Sequence, residues 1–290
     1  MYRSLMLGLP GTGKTTFLAA LWHVVEAADV RGALRLRALH GDREHLNRVR
    51  DAWLECRALE RTSVASEQIV TMKLVSPDRE EDIELVVPDM SGESFRSYLE
   101  HRLWPVSLDE FVRDTTGLLL FIHPDRVRDP VRIDQAEPLY GELMADQASS
   151  GDAEDETGIP WRRELIPTQV QLIDLLQLVL ERASGPFPKK LAVIISAWDI
   201  VGEPHIAPER WLAARLSMLS QYLHANPEQV DVRVYGLSAQ GGDLERDIDR
   251  LATLDHPSER IMVLAQDVDI HHDVTAPIRW LMDGQRGGMT

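Results

Sequence analysis

Residues 8–15 read Gly-Leu-Pro-Gly-Thr-Gly-Lys-Thr, the spacing G-x-x-x-x-G-K-[ST]. Glycines at these positions let the backbone turn tightly and aim successive amides at a polyphosphate. Lys14 supplies a fixed cation for the β- and γ-phosphates, and the Thr15 hydroxyl is a ligand for Mg²⁺. The motif needs a strand before it and a helix after it, because a helix N-terminus adds positive potential. Leu5-Met6-Leu7 is a short apolar strand, and Thr16–Ala28 has helical composition and spacing. The candidate nucleotide contacts here are Gly8, Pro10, Gly11, Thr12, Gly13, Lys14, Thr15 and Thr16. The chain therefore binds a nucleoside triphosphate or descends from one that did.

A second phosphate-site signal lies in Glu84-Leu-Val-Val-Pro-Asp-Met-Ser-Gly-Glu93. An apolar strand there ends in Asp89, placed to hold Mg²⁺ through water. Gly92 lets a backbone amide approach the γ-phosphate, and Glu93 falls where a side chain could orient the attacking water. Two further strands end in polar groups: Leu191-Ala-Val-Ile-Ile-Ser-Ala-Trp-Asp199, and Val232-Arg-Val-Tyr-Gly-Leu-Ser-Ala-Gln240. Their ends carry Asp199 and the pair Ser238-Ala239.

The elements that must carry these residues can be read from hydrophobic period. Ala33–Leu39 alternates as a strand, and Asp42–Leu59 reads as a helix with Asp42 as N-cap and Leu46, Val49, Trp53 and Cys56 on one face. Ile69–Val75 and Asp82–Val87 form a hairpin across the charged turn 76–81. Gly117–His123 and Leu191–Ile195 are continuous apolar runs, as expected of strands buried on both faces. Pro167–Arg182 is a strongly apolar helix, Val232–Leu237 a strand, and Ala276–Met282 a last helix. Asp146–Gly158 is acidic and Ser/Gly-rich, a loop. Strands alternating with helices predict an α/β fold, a P-loop NTPase with a mainly parallel central sheet and helices on both faces. Residues 1–290 are expected to form a single domain with insertions at about 30–60 and 125–166.

Composition narrows the function classes. The 290 residues carry 31 Lys plus Arg against 47 Asp plus Glu, a net charge of −16, which repels a nucleic-acid backbone. The single cysteine, Cys56, cannot form an internal disulfide, consistent with a reducing cytoplasm. No apolar run reaches the roughly 18–20 residues of a membrane span. His271-His272-Asp273 makes a poor chelate, because adjacent residues of an extended segment point to opposite sides. The run Asp152–Glu156 reads as a solvated loop, Arg96 and Arg102 as exposed helical arginines, and Trp104, Trp161, Trp211 and Trp280 as packing residues.

The order of motifs resembles that of GTPases of the translation-factor and Ras-like class: P-loop, switch threonine, Asp-x-x-Gly, [Asn/Thr]-Lys-x-Asp, Ser-Ala; the resemblance implies Thr62 as the switch threonine for the γ-phosphate, with Ser63 and Thr71 as rivals. The resemblance implies that Asp199 accepts from guanine N1–H and N2–H₂, while the Ser238-Ala239 backbone meets O6. Two positions depart from the pattern. Ser196 stands for Asn or Thr, and Ala197 replaces the lysine whose stem covers one face of the base, so guanine affinity falls unless Trp198 compensates. Leu7–Ala20, the Asp-Met-Ser-Gly-Glu block, Ala-Trp-Asp and Asp273-Val-Thr-Ala-Pro-Ile-Arg-Trp-Leu281 together resemble the bacterial double-GTPase proteins. That resemblance implies a GTP-hydrolysing molecular switch using Mg²⁺, with Lys14, Glu93 and Thr62 as catalytic residues. It implies as partners a second GTPase and a large GTPase-associated protein, in gene clusters of conflict or anti-phage type. An ATP-using P-loop enzyme, or a nucleotide-binding scaffold with little turnover, are the alternatives.

Overall fold

The computed structural model describes residues 2–59, 68–78, 81–89, 101, 106–130, 166–201, 206–265 and 269–283. Among these, the strands are β1 (Tyr2–Gly8), β2 (Arg35–His40), β3 (Gln68–Val75), β4 (Asp82–Asp89), β5 (Gly117–Ile122), β6 (Lys189–Ser196), β7 (Val230–Ser238) and β8 (Met262–Leu264). They form one sheet in the order β2-β3-β4-β1-β5-β6-β7-β8. The inner strands β4, β1, β5, β6 and β7 run parallel, while β3 pairs antiparallel with β4, β2 with β3, and β8 with β7. This is the α/β P-loop architecture expected. The chain leaves β1 toward one side of the sheet and resumes at β5 on the other. The crevice beyond the carboxyl ends of β1 and its neighbours is therefore where such a sheet binds its ligand.

The helices are α1 (Lys14–Ala27), α2 (Arg43–Leu54), α3 (Val106–Arg113), α4 (Thr168–Arg182), α5 (Pro208–Arg215), α6 (Ser217–Ala225), α7 (Ile248–Ala252) and α8 (Ala276–Met282). Side chains of the inner strands alternate between two apolar layers, because successive Cβ atoms point to opposite faces. Met6, Leu119, Phe121 and Ile194 pack with α1, α2 and α8. Leu5, Leu7, Leu118, Leu120, Val193 and Ile195 pack with α3, α4, α5 and α6. Both faces being covered, these strands read as unbroken apolar runs.

Helix α1 is buried almost all round, which a helix lying on a single sheet could not achieve. Its outer side is covered by α2. Trp22 Nε1 donates to Asn47 Oδ1 at 3.0 Å, Arg43 stacks over the Trp22 ring, and Arg50 pairs with Glu26 at 2.6 Å. Asp42 caps α2 as expected, accepting from the amides of Glu44 and His45. The helix stops at Leu54, short of the Leu59 expected, and Cys56 takes a left-handed φ of 53°. The closing segment also has a structural account. Asp273 Oδ1 accepts from the Thr275 amide at 2.9 Å, its other oxygen pairs with Arg279, and Thr275 Oγ1 accepts from the Leu34 amide. That ties α8 to the root of β2. Among the described residues no helix is long and apolar enough to cross a membrane.

Candidate functional site

The residues singled out in the sequence converge on one edge of the sheet. The loop 8–13 leaves the carboxyl end of β1, Asp89 ends β4, Ser196–Asp199 leaves β6, and Ser238-Ala239 leaves β7. The β1–β4 register runs to Leu5↔Val86, three residues before Gly8 on one strand and Asp89 on the other. Thr62, Ser63, Gly92 and Glu93, with Arg96 and Arg102, lie outside the described residues, as do Trp104, Trp161 and the run 152–156. Thr71 lies inside β3, paired with His40 and Val86, so it is a sheet residue and not part of a loop.

The loop has the backbone that its glycines permit. Gly8, Gly11 and Gly13 all have positive φ. At Gly8 a Cβ would lie 2.8 Å from the Phe121 carbonyl oxygen, and at Gly13 it would lie 3.2 Å from Ser196. Gly13 is the N-cap of α1 and offers no side-chain cap, so the first amides of the helix face the loop without a side-chain acceptor at that position. The Thr12 hydroxyl donates to the Leu9 carbonyl at 2.8 Å, and Lys14 Nζ donates to the carbonyls of Gly8 at 2.8 Å and Leu9 at 2.9 Å. The ammonium is thus held against the backbone of the loop itself. Thr15 and Thr16 occupy the first turn of α1.

Beyond β6 the chain turns sharply. Ala197 has φ 47° and ψ 47°, and Trp198–Ile200 form one 3₁₀ turn closed by the Ile200 amide on the Ala197 carbonyl at 3.1 Å. This turn fixes Asp199, whose Oδ1 is buried and has no hydrogen-bond partner among the described residues. A buried carboxylate oxygen left without a donor is costly, and it marks a place where a ligand can donate. Ser196 Oγ donates to the Ile122 carbonyl at 3.1 Å, which joins the ends of β5 and β6.

Trp198 does not take over the missing lysine stem. It is buried in the layer beneath α5 and lies flat on Gly236, where a Cβ would come within 2.3 Å of its ring. The indole is committed to the core. Trp211 and Trp280 pack as expected, Trp280 under Lys190 and Arg233.

Two neighbours of this edge carried no motif. His123 follows β5 directly; burial holds its pKa below the usual 6.5, and the carboxylates of Asp125 and Asp199 oppose that shift. A polar residue ending a fully apolar strand was the available signal. The second is Trp53, whose Nε1 donates to the Ala239 carbonyl at 2.9 Å from 186 positions away. Ser238 is fully buried, and its Oγ accepts from the Gly241 amide at 2.8 Å.

Among solved structures, the chain is similar to a bacterial selenocysteine-specific elongation factor, EF-Sec, at 13% identity and TM-score 0.40, covering 86% of this chain and 27% of that one. The chain thus spans about a quarter of that factor's length. It is similar to the signal recognition particle receptor complex SRb-GTP/SRX from Chaetomium thermophilum at 12% identity and TM-score 0.40, covering 84% and 92% of the two chains. It is also similar to the S. cerevisiae Ski7 GTPase-like domain bound to GTP, at 12% identity and TM-score 0.36, covering 83% and 43%. No curated protein matches the sequence. The sequence model of the Double-GTPase 1 family, by contrast, matches residues 5–281, nearly the whole chain that carries the loop, the strand-end acids and the closing Asp273–Leu281 segment, and the chain belongs to that family.

Proposed function

We propose that this chain is a guanine-nucleotide switch that binds GTP with Mg²⁺ and hydrolyses it slowly on its own. The observation that carries this reading is the orphaned, buried Asp199 Oδ1 on the same sheet edge as the glycine-rich loop. Guanine offers N1–H and N2–H₂ donors to such an oxygen, whereas adenine offers a lone pair at N1. Membership of a GTPase family supports the same choice.

In this reading the backbone amides of 11–16 hold the phosphates, and Lys14 faces the β- and γ-phosphates. The hard oxygen donors Thr15 and Asp89 suit Mg²⁺, one on the first turn of α1 and the other at the end of the neighbouring strand β4. Bound Mg²⁺ supplies charge neutralisation between the β- and γ-phosphates. Gly92 donates its amide toward the γ-phosphate, Glu93 orients water, and Thr62 closes on the γ-phosphate, so that hydrolysis releases both segments. A partner GTPase and a large associated protein complete the switch in a bacterial conflict system.

The test is direct. Nucleotide extracted from the purified protein and resolved by chromatography is expected to be GDP or GTP, and calorimetry is expected to rank GTP above ATP. Recovery of adenine nucleotides, with ATP bound more tightly, would assign the chain to the ATP-using class.

A further inference from the structure

We propose that Trp53, which lies on α2 outside every nucleotide motif, is a positioning residue that sets guanine selectivity by bracing the turn 238–241. The inference rests on the guanine-binding reading above and names a determinant of that same site.

The turn follows β7 directly beside the Asp199 turn, since β6 and β7 are paired through Ser196↔Leu237 and Trp198 lies on Gly236. It is held from several directions. The Ser238 hydroxyl accepts from the Gly241 amide, Arg250 Nη2 donates to the Gly241 carbonyl at 2.7 Å, and the Arg260 backbone packs against Gly241. Each of those contacts acts at an end of the turn. Among the described side chains, Trp53 is the one whose hydrogen bond grips its middle, at the Ala239 carbonyl. In a trans peptide the C=O and N–H lie in one plane and point in opposite directions. By drawing the Ala239 carbonyl toward α2, Trp53 therefore turns the Gln240 amide the other way, off the α2 side of the turn.

Trp53 itself has no freedom to wander. It is fully buried, its ring lies 5.4 Å from that of His23, and the Arg260 guanidinium sits 3.8 Å above it. A cation over the ring draws electron density from the indole and strengthens its N–H as a donor. The turn also carries an unmet donor. Gln240 Nε2 is buried without a hydrogen-bond partner among the described residues, as Asp199 Oδ1 is an acceptor without one. An orphaned acceptor on one strand end and an orphaned donor on the next complement the N1–H and O6 of guanine, adjacent groups of opposite sense. Trp53 decides where the second half of that pair stands.

The experiment compares GTP with 2-aminopurine riboside triphosphate, which keeps the N2 amine but lacks O6 and with it the N1–H, by calorimetry in Mg²⁺. The parent is expected to prefer GTP. Trp53→Phe keeps a ring beneath Arg260 and removes the N–H. It is expected to weaken GTP by about three- to tenfold, the worth of one hydrogen bond, and to leave the 2-aminopurine nucleotide unchanged. A second variant, with β-(3-benzothienyl)alanine at position 53, keeps the indole shape and should behave alike even if Trp53→Phe folds poorly. An unchanged ratio of the two affinities, or equal loss of both, overturns the role of Trp53 while leaving guanine binding intact. A parent that prefers ATP to GTP overturns the guanine reading and this inference with it.

Discussion

Gly13 and Ser196 are in contact: a Cβ built on Gly13 would lie 3.2 Å from both Cβ and Oγ of Ser196. The phosphate loop thus rests directly on the end of the strand that leads to Asp199, and the serine's own hydroxyl is tied to Ile122. A larger side chain at either position pushes the two halves of the site apart.

Gly13→Ala is therefore expected to be costly twice over. The left-handed φ of 81° penalises any Cβ by about 1–2 kcal/mol, and the contact with Ser196 adds to it. Urea unfolding should show that loss, and calorimetry a fall in triphosphate affinity. Ser196→Gly should recover only the part due to crowding. Equal stability of Gly13→Ala and the parent would contradict the loop geometry.

Lys14→Ala should abolish triphosphate binding, because it removes the cation fixed over the loop. Thr15→Ala and Asp89→Ala should instead raise the Mg²⁺ concentration needed for tight binding. Titration of nucleotide affinity against Mg²⁺ separates the two classes. A Lys14→Ala protein that bound GTP like the parent would remove the loop from the site.

Much of this site was legible because its determinants are local. The glycine-rich loop, the hairpin of β3 and β4, and α8 are each contiguous stretches that announce themselves through turn chemistry or a single period. The expected strand at 33–39 was found at Arg35–His40, shifted because the pattern of an exposed edge strand is weak. Helices α5 and α6 went unread: the chain breaks at Leu216, with φ −134°, and splits their apolar period. Trp198 lies in the core, since a glycine on the neighbouring strand opens a slot for it. The Trp53–Ala239 contact joins positions whose proximity depends on the whole sheet being assembled.

Stability should fall on mild acidification. Burial lowers the pKa values of His23, His123 and His271 below the usual 6.5. The unfolded chain therefore takes up protons first as the pH drops through 6.5, which favours unfolding until the lower folded values are reached. The urea midpoint should be lower at about pH 5.5 than at about pH 7.5, and His123→Gln should flatten part of that slope. A midpoint that rose on acidification would contradict the burial of these rings.

Hydrolysis by the chain alone should be slow. A carboxylate at Glu93 near the γ-phosphate meets like-charge repulsion, which holds it away unless Mg²⁺ or an arginine offsets it. An arginine supplied by a partner should raise phosphate release by as much as about 10³–10⁵-fold. Fast turnover by the isolated chain, unaffected by Glu93→Ala, would remove both the role of Glu93 and the need for a partner.

The central claim is that Asp199 reads guanine. Calorimetry of the parent and of Asp199→Asn against GTP, XTP and ATP tests it in one set of titrations. An asparagine amide can donate where xanthine presents an oxygen, so the variant is expected to lose GTP and gain XTP, with ATP unchanged. A parent that favours ATP, together with an Asp199→Asn protein that binds all three nucleotides as the parent does, would contradict the account.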